Sequence, residues 1–226
     1  MKLIIAGIGP GNPELITIEA ISLAKNSDVI IVPRAHENST GLAEKIISKH
    51  IHNAELIHIT FPMIYDPDER DKIILSQLEA SKPKWEHARN IFFPVIGDSM
   101  LFSTGAYLLD AFRKLIPDID AEFIPGISAH SLAASCAKRF LAMADDVLCI
   151  IPGTADREKV RRALACSDAA AIYKPTALKD IRELAEGFSN IIRVDFAGIP
   201  EREKIFAGID ALKDIHEYIS IILLWR

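Results

Sequence analysis

"KLIIAGIGPGNPELITIEAI", Lys2 to Ile21, decides how the rest of the chain is read. Its opening, Leu3 to Ala6, has the length and composition of a buried strand. Three glycines then fall within five positions, Gly7, Gly9 and Gly11, before a segment of helical period over 15–25. Strand, glycine-rich turn and helix make the first unit of an α/β sheet, and such a turn is where a nucleotide-like ligand approaches the backbone. The dinucleotide pattern asks for G-x-G-x-x-G and an acidic residue about 20 positions later for a ribose hydroxyl. Here the third glycine comes one position early, and the second strand ends in Pro33-Arg34. Pro10 and Pro13 also lack the N–H donors that build a phosphate cradle. No Gly-Lys-Ser/Thr follows, so the turn is not a P-loop either. Two readings remain: a tight connection without a ligand, or a seat for a ligand that carries no phosphate. S-adenosylmethionine, with its adenine, ribose and zwitterionic amino acid, suits the second.

Working outward, apolar β-rich runs over 29–32, 55–60 and 91–95 alternate with helical segments over 41–49, 73–78 and 107–115, the last ended by Pro117. This βαβα order predicts a mostly parallel sheet with helices on both faces. After about Asp120 the helices shorten. Strands are expected over 121–124, 147–151, 169–173, 191–195 and 218–224, with a hairpin near Arg202 to Phe206. The expectation is therefore two α/β domains, 1–118 with a mostly parallel sheet and 119–226 with a mixed one.

Composition narrows the function classes. The chain has 226 residues, half of them hydrophobic, which suits one large or two modest domains. No apolar stretch approaches the roughly 20 residues that span a bilayer, and Met1-Lys2 leads straight into a strand, so a soluble cytoplasmic protein is expected. A net charge of −5 disfavours a general nucleic-acid binder. Cys136, Cys149 and Cys166 are too scattered for a disulfide framework or a metal knuckle and read as core thiols. His50-Ile51-His52 alone is a poor metal motif, and His50, His52 and His216 read as solvated, so no metal site is expected.

Two further stretches repeat the strand-then-turn arrangement. "FPVIGDSMLFSTG", Phe93 to Gly105, places Gly97-Asp98 after a buried strand and before a helix. Asp98 either caps that helix or offers its carboxylate to a ligand's ammonium or ribose. "EFIPGISAHSLAAS", Glu122 to Ser135, sets a Pro-Gly turn before Ser128 as N-cap of a small-residue helix. The ordered set G-x-G-P-G-N-P-E-L-I-T, G-D-S-M-L-F-S-T and P-G-I-S-A resembles the tetrapyrrole methylases, the S-adenosylmethionine-dependent methyltransferases of the cobalamin and sirohaem pathways. The likeness runs over nearly the whole chain. "FPM" (Phe61 to Met63), "DDVLCIIPGT" (Asp145 to Thr154) and "SDAAAIYK" (Ser167 to Lys174) are most similar to members that methylate C-20 of precorrin-2 or cobalt-factor II. Members acting on diphthamide or ribosomal RNA match these three less well.

The resemblance implies two α/β domains with the cofactor in the cleft between them, and a homodimer. It places cofactor contacts on Pro10, Ile96, Gly97, Asp98, Leu101, Ser128, Ala129, Tyr173, Lys174 and Ala197. Ser99 stands where the family usually has proline, which predicts a less rigid turn, and Ala197 stands near an expected Asn-Gly-Thr. Pro33 occupies the place of the aspartate proton acceptor of the uroporphyrinogen-III enzymes, so that catalytic residue does not carry over. The proton of the methylated carbon is left to a side chain or to water; His36, Tyr65 and Asp66 follow strands where such a group could sit, but each reads first as a surface-loop residue, and the sequence does not choose among them. Arg34 and Lys174, at strand ends, are the best-placed cations for a tetrapyrrole's carboxylates. Arg157, Lys159, Arg161 and Arg162 read as a solvated helix face. Two rival readings share the glycine turn: a nicotinamide oxidoreductase, opposed by the missing acid, and a non-catalytic nucleotide-binding module, which would need fewer ligand-type turns.

Overall fold

A computed structural model of the chain describes every residue except Asn38, His52, Asn53, Met63 and Tyr65. It divides into two compact units, Met1–Ser128 and Ala129–Arg226. The division falls later than the expected 118/119 because the strand after Pro117 belongs to the first sheet, where it pairs with the first strand.

The first unit runs β1 (Lys2–Gly7), α1 (Ile18–Lys25), β2 (Val29–Arg34), α2 (Leu42–Ile47), β3 (Leu56–Thr60), α3 (Pro67–Trp85), β4 (Asn90–Val95), α4 (Gly105–Leu115) and β5 (Asp120–Ile124). Its five strands are ordered β3-β2-β4-β1-β5, and every pairing is parallel. Period-2 alternation along β1 sends Leu3 and Ile5 to one face with Ile74, Leu78, Trp85, Leu108 and Phe112 of α3 and α4. Ile4 and Ala6 go to the other, with Ala20, Ala24, Ile46 and Ile47 of α1 and α2. Strands buried on both faces read as continuous apolar runs, which is why β1, β2 and β4 were visible in the sequence. Each fully buried Leu, Ile or Phe among them is worth roughly 1.5–3 kcal/mol.

One helix differs from expectation, and another contains the expected segment but runs well past it. The segment over 15–25 splits: Pro13–Leu15 is a 3-10 turn, and α1 begins after Thr17, whose hydroxyl accepts the Ala20 N–H. Helix α3 is much longer than 73–78. Asp66 caps it by accepting the N–H groups of Asp68 and Glu69, and Pro67 occupies its first position. Its buried positions Ile74, Leu78 and Trp85 are sparse among charges, so the period is faint.

The second unit runs α5 (Ala129–Cys136), β6 (Leu148–Pro152), α6 (Arg157–Ala165), β7 (Ala169–Tyr173), α7 (Ile181–Leu184), β8 (Asn190–Asp195), β9 (Lys204–Ala207) and β10 (Ser220–Trp225). The order is β6-β7-β10-β8-β9, with β6 and β7 parallel and the other pairs antiparallel. It is the expected mixed sheet, and β8–β9 is the expected hairpin. Ala169 and Ala171 face α5, whereas Ala170 and Ile172 face α6 and α7. Of the cysteines, only Cys136 and Cys149 are partly buried; Cys166 closes α6 and is exposed, so it is no core thiol. The Cys136 thiol, pushed up to about 11 by burial and by the Glu203 carboxylate, donates to that carboxylate at 3.4 Å.

Candidate functional site

In the first unit, the helices following β1 and β4 lie on opposite faces of the sheet although these strands are neighbours. Their connections leave the carboxyl edge in opposite directions, and this is where open α/β sheets bind ligands. The first two glycine motifs both emerge at that point. Ile8 donates to the Val95 carbonyl at 2.9 Å, and Gly9 and Gly97 exchange backbone hydrogen bonds of 3.3 and 2.8 Å. The third motif closes on the same place, since a Cβ on Gly126 would stand 2.3 Å from the Gly97 carbonyl oxygen and 2.7 Å from the Gly7 carbonyl carbon. Three turns distant in sequence are thus packed backbone to backbone.

Gly97 differs from Gly7 and Gly126. Its φ is +79°, and a Cβ built there meets only the Ile127 carbonyl oxygen, at 3.9 Å. Open space lies where its side chain would be; Pro10, which follows the bridged Gly9, is buried, and Ile96, Asp98 and Leu101 are partly buried. Asp98 does not cap α4, which begins only at Gly105 after Thr104; its carboxylate instead accepts the Met100 N–H at 3.1 Å. Nor does Ser99 loosen the turn. Its side chain is buried, and its hydroxyl donates to the Ile124 carbonyl at 2.7 Å, tethering the turn to β5 as a proline could not. Ser99→Ala is expected to leave that carbonyl unsatisfied and cost about 1–3 kcal/mol in urea denaturation; an unchanged midpoint would show the tether to be idle.

The helix-start donors after β1 are already occupied. The Asn12 carboxamide oxygen accepts the Glu14 N–H at 2.9 Å and the Asn12 carbonyl accepts the Leu15 N–H at 3.0 Å, while His50 Nε2 donates to the Pro13 carbonyl at 2.9 Å. Little is left there for a phosphate, which speaks against a nicotinamide dinucleotide. His50 is thereby a structural donor, not a solvated group; His52 lies outside the described residues. His36 is exposed in the turn after β2, Asp66 is committed to the α3 cap, and Tyr65 and Met63 lie outside the described residues. Arg34 closes β2, with Nε on the Thr60 hydroxyl at 3.1 Å and Nη1 on the Glu37 carbonyl at 2.5 Å.

In the second unit, Tyr173 ends β7, and Lys174 takes a left-handed turn at φ +52°. A Cβ on Gly153, in the turn after β6, would stand 2.3 Å from the Lys174 carbonyl oxygen. The Lys174 ammonium lies 5.2 Å from the centre of the Tyr218 ring. The Tyr173 hydroxyl accepts the His130 backbone N–H at 3.2 Å and pairs with His130 Nδ1 at 2.8 Å, a contact the sequence did not signal. Ala197 is buried between Phe196 (φ +52°) and Gly198 (φ +79°), and Glu203 accepts the Gly198 N–H at 2.8 Å. Arg157 pairs with Glu183, and Arg161 with Glu158, on an exposed face of α6, as a solvated run would. The structure brings Pro10, Ile96 and Gly97 together in the first unit, and Ala129, next to His130, beside Tyr173 in the second. Among the described residues no three His, Cys, Asp or Glu side chains converge as metal ligands would.

The family Tetrapyrrole (Corrin/Porphyrin) Methylases matches residues 2–209. The chain is 29% identical over 174 residues to the cobalt-precorrin-2 C(20)-methyltransferase of Salmonella typhimurium, covering 76% of this chain and 72% of that one. It is 28% identical over 224 residues to a probable cobalt-precorrin-2 C(20)-methyltransferase of Methanocaldococcus jannaschii, covering 97% and 94%. A precorrin-2 C(20)-methyltransferase of Sinorhizobium is 28% identical over 243 residues, covering 100% and 96%. Among solved structures, the uroporphyrin-III C-methyl transferase of Thermus thermophilus complexed with S-adenyl homocysteine superposes with a TM-score of 0.70 at 18% identity, covering 100% of this chain and 98% of that one.

Proposed function

The chain belongs to the tetrapyrrole methylase family, and from that premise we propose that it transfers a methyl group from S-adenosylmethionine to C-20 of precorrin-2 or cobalt-factor II in cobalamin biosynthesis. The observation that carries the reading is the β1/β4 switch point, where Gly97 faces open space beside turns that offer few N–H donors. The C-20 methyltransferases among the relatives support the choice of carbon. The sulfonium brings an already activated methyl, and a bridging carbon of a reduced tetrapyrrole brings its own nucleophilicity. The protein is left with orientation, which supplies roughly 7–11 kcal/mol of barrier reduction when the geometry is near-attack.

The cofactor contacts we propose are Pro10, Ile96, Gly97, Asp98, Leu101 and Ser128 in the first unit, and Ala129, Tyr173, Lys174 and Ala197 in the second. Arg34 and Lys174 take the substrate's carboxylates. On the family resemblance we also assign a homodimer and a cytoplasmic location; among the described residues no helix is long and apolar enough to cross a membrane.

Anaerobic incubation with precorrin-2 or its cobalt complex and a 13C-methyl donor is expected to place one methyl at C-20 and no second one. Carbon NMR locates it; label at a pyrrole carbon, or on no tetrapyrrole carbon, overturns the assignment. In calorimetry S-adenosylhomocysteine is expected to bind at micromolar affinity and NAD not at all. The reverse pattern would favour the oxidoreductase.

A further inference from the structure

Among the described residues, five arginines pair with a carboxylate, Arg70 with Asp71, Arg157 with Glu183, Arg161 with Glu158, Arg193 with Asp195 and Arg202 with Glu217, whereas Arg226 donates to the Ser167 and Leu164 carbonyls at the far end of the second sheet. Arg34 is held differently. Its protein partners among the described residues are a hydroxyl, Thr60 Oγ1 at 3.1 Å from Nε, and a carbonyl, that of Glu37 at 2.5 Å from Nη1. Both are neutral acceptors, so the guanidinium is fixed in place without a paired carboxylate among the described residues, and Nη2 takes part in neither bond. Thr60 is fixed in turn. It is the last residue of β3, an edge strand, whose outward backbone groups have no neighbouring strand. Gln77 of α3 supplies the missing pairing: its Oε1 accepts the Thr60 N–H at 2.8 Å, and its Nε2 donates to the Thr60 carbonyl at 3.0 Å and to the Ile73 carbonyl at 3.1 Å. The Arg34 carbonyl accepts the Phe61 N–H at 2.9 Å, which ties the ends of β2 and β3 together.

We infer that Thr60 and Gln77 are positioning residues for the substrate, holding the Arg34 guanidinium so that its Nη2 edge meets one carboxylate of the tetrapyrrole. The inference rests on the reading that Arg34 binds a substrate carboxylate. The physical basis is preorganisation: an arginine whose long side chain is already ordered loses less freedom on forming a charged hydrogen bond, and its planar fork then selects one orientation of the anion. A free-swinging arginine would attract carboxylates but would not choose among the several that rim the macrocycle.

The test is steady-state methylation with anaerobic precorrin-2 varied, alongside calorimetry with S-adenosylhomocysteine on each variant. Arg34→Gln is expected to raise KM for precorrin-2 by about 30-fold, in keeping with loss of a charged hydrogen bond. Thr60→Val, similar in shape but without the acceptor, should raise it about 5- to 10-fold with a smaller change in kcat, Gln77→Met should raise it about 3-fold, and Thr60→Ser should restore it. Cofactor affinity should stay within about 2-fold throughout. In an Arg34→Gln background, Thr60→Val should add nothing, because contacting groups acting through one another are not additive. If Arg34→Gln raises KM and Thr60→Val does not, or if Thr60→Val raises KM equally without Arg34, the positioning role is overturned while Arg34 keeps its own. If Arg34→Gln leaves KM unchanged, the carboxylate reading of Arg34 fails and the relay falls with it. A wild-type protein that neither binds nor methylates precorrin-2 overturns the function itself, and the relay with it.

Discussion

Gly126→Ala is expected to destabilise the first unit by more than about 3 kcal/mol, beyond the usual cost of one extra methyl in a packed interior. The added Cβ would lie 2.3 Å from the Gly97 carbonyl oxygen, 2.7 Å from the Gly7 carbonyl carbon and 2.8 Å from the Gly7 Cα. All three atoms are backbone, so no side chain can swing aside. The backbone cannot yield cheaply either: β5 is registered against β1, the end of β1 is registered against Val95 of β4, and Gly9 and Gly97 are bridged just beyond. Relief would require prising the end of β5 and the turn after it away from β1 and from the Gly9–Gly97 bridge. A urea midpoint within error of the wild type would show that the three turns are looser than this geometry states. The same argument explains why no larger residue serves at Gly7, whose Cβ would stand 2.6 Å from the Gly126 nitrogen.

Much of this was legible in the sequence. Strands buried on both faces announce themselves as apolar runs, so β1, β2, β4 and β7 fell where expected, and each glycine turn followed its strand. What escaped was information that exists only across the sheet. Ser99 reads as a departure from a proline, and nothing local says that its hydroxyl will find the Ile124 carbonyl. Asp98 and Gly105 look close enough for a cap, but the intervening segment takes no helical turn of α4. The pairing of Tyr173 with His130 joins residues 43 positions apart, and that of Thr60 with Gln77 joins an edge strand to a helix whose period was blurred by charge. The domain boundary shifted for the same reason: β5 belongs to the first sheet by its pairing with β1, a fact that no property of residues 119–128 encodes.

Gly97→Val is expected to abolish measurable S-adenosylhomocysteine binding, a loss of at least about 100-fold in calorimetry, while the protein stays folded. The two halves of this expectation have separate causes. Folding is expected to survive because the first added atom, a Cβ at Gly97, has only the Ile127 carbonyl oxygen nearby, at 3.9 Å, whereas the Gly126 Cβ would strike backbone at 2.3 Å. The substitution does carry a strain of roughly 1–2 kcal/mol, because φ +79° is a left-handed conformation that side-chain-bearing residues avoid. That is a fraction of the 5–15 kcal/mol by which domains are ordinarily stable. Binding fails because the same open space is the volume we assign to the ligand at the carboxyl edge of β4, and a branched side chain would fill it. Gly126→Ala supplies the contrast: Gly126 is expected to be required by the fold, and Gly97 by the ligand we assign to its open side. Circular dichroism and a urea titration establish that Gly97→Val is folded before its affinity is read. A folded Gly97→Val protein that binds S-adenosylhomocysteine as tightly as the wild type would mean that the cofactor lies elsewhere, and the contacts at Ile96, Asp98 and Leu101 would fall together with it.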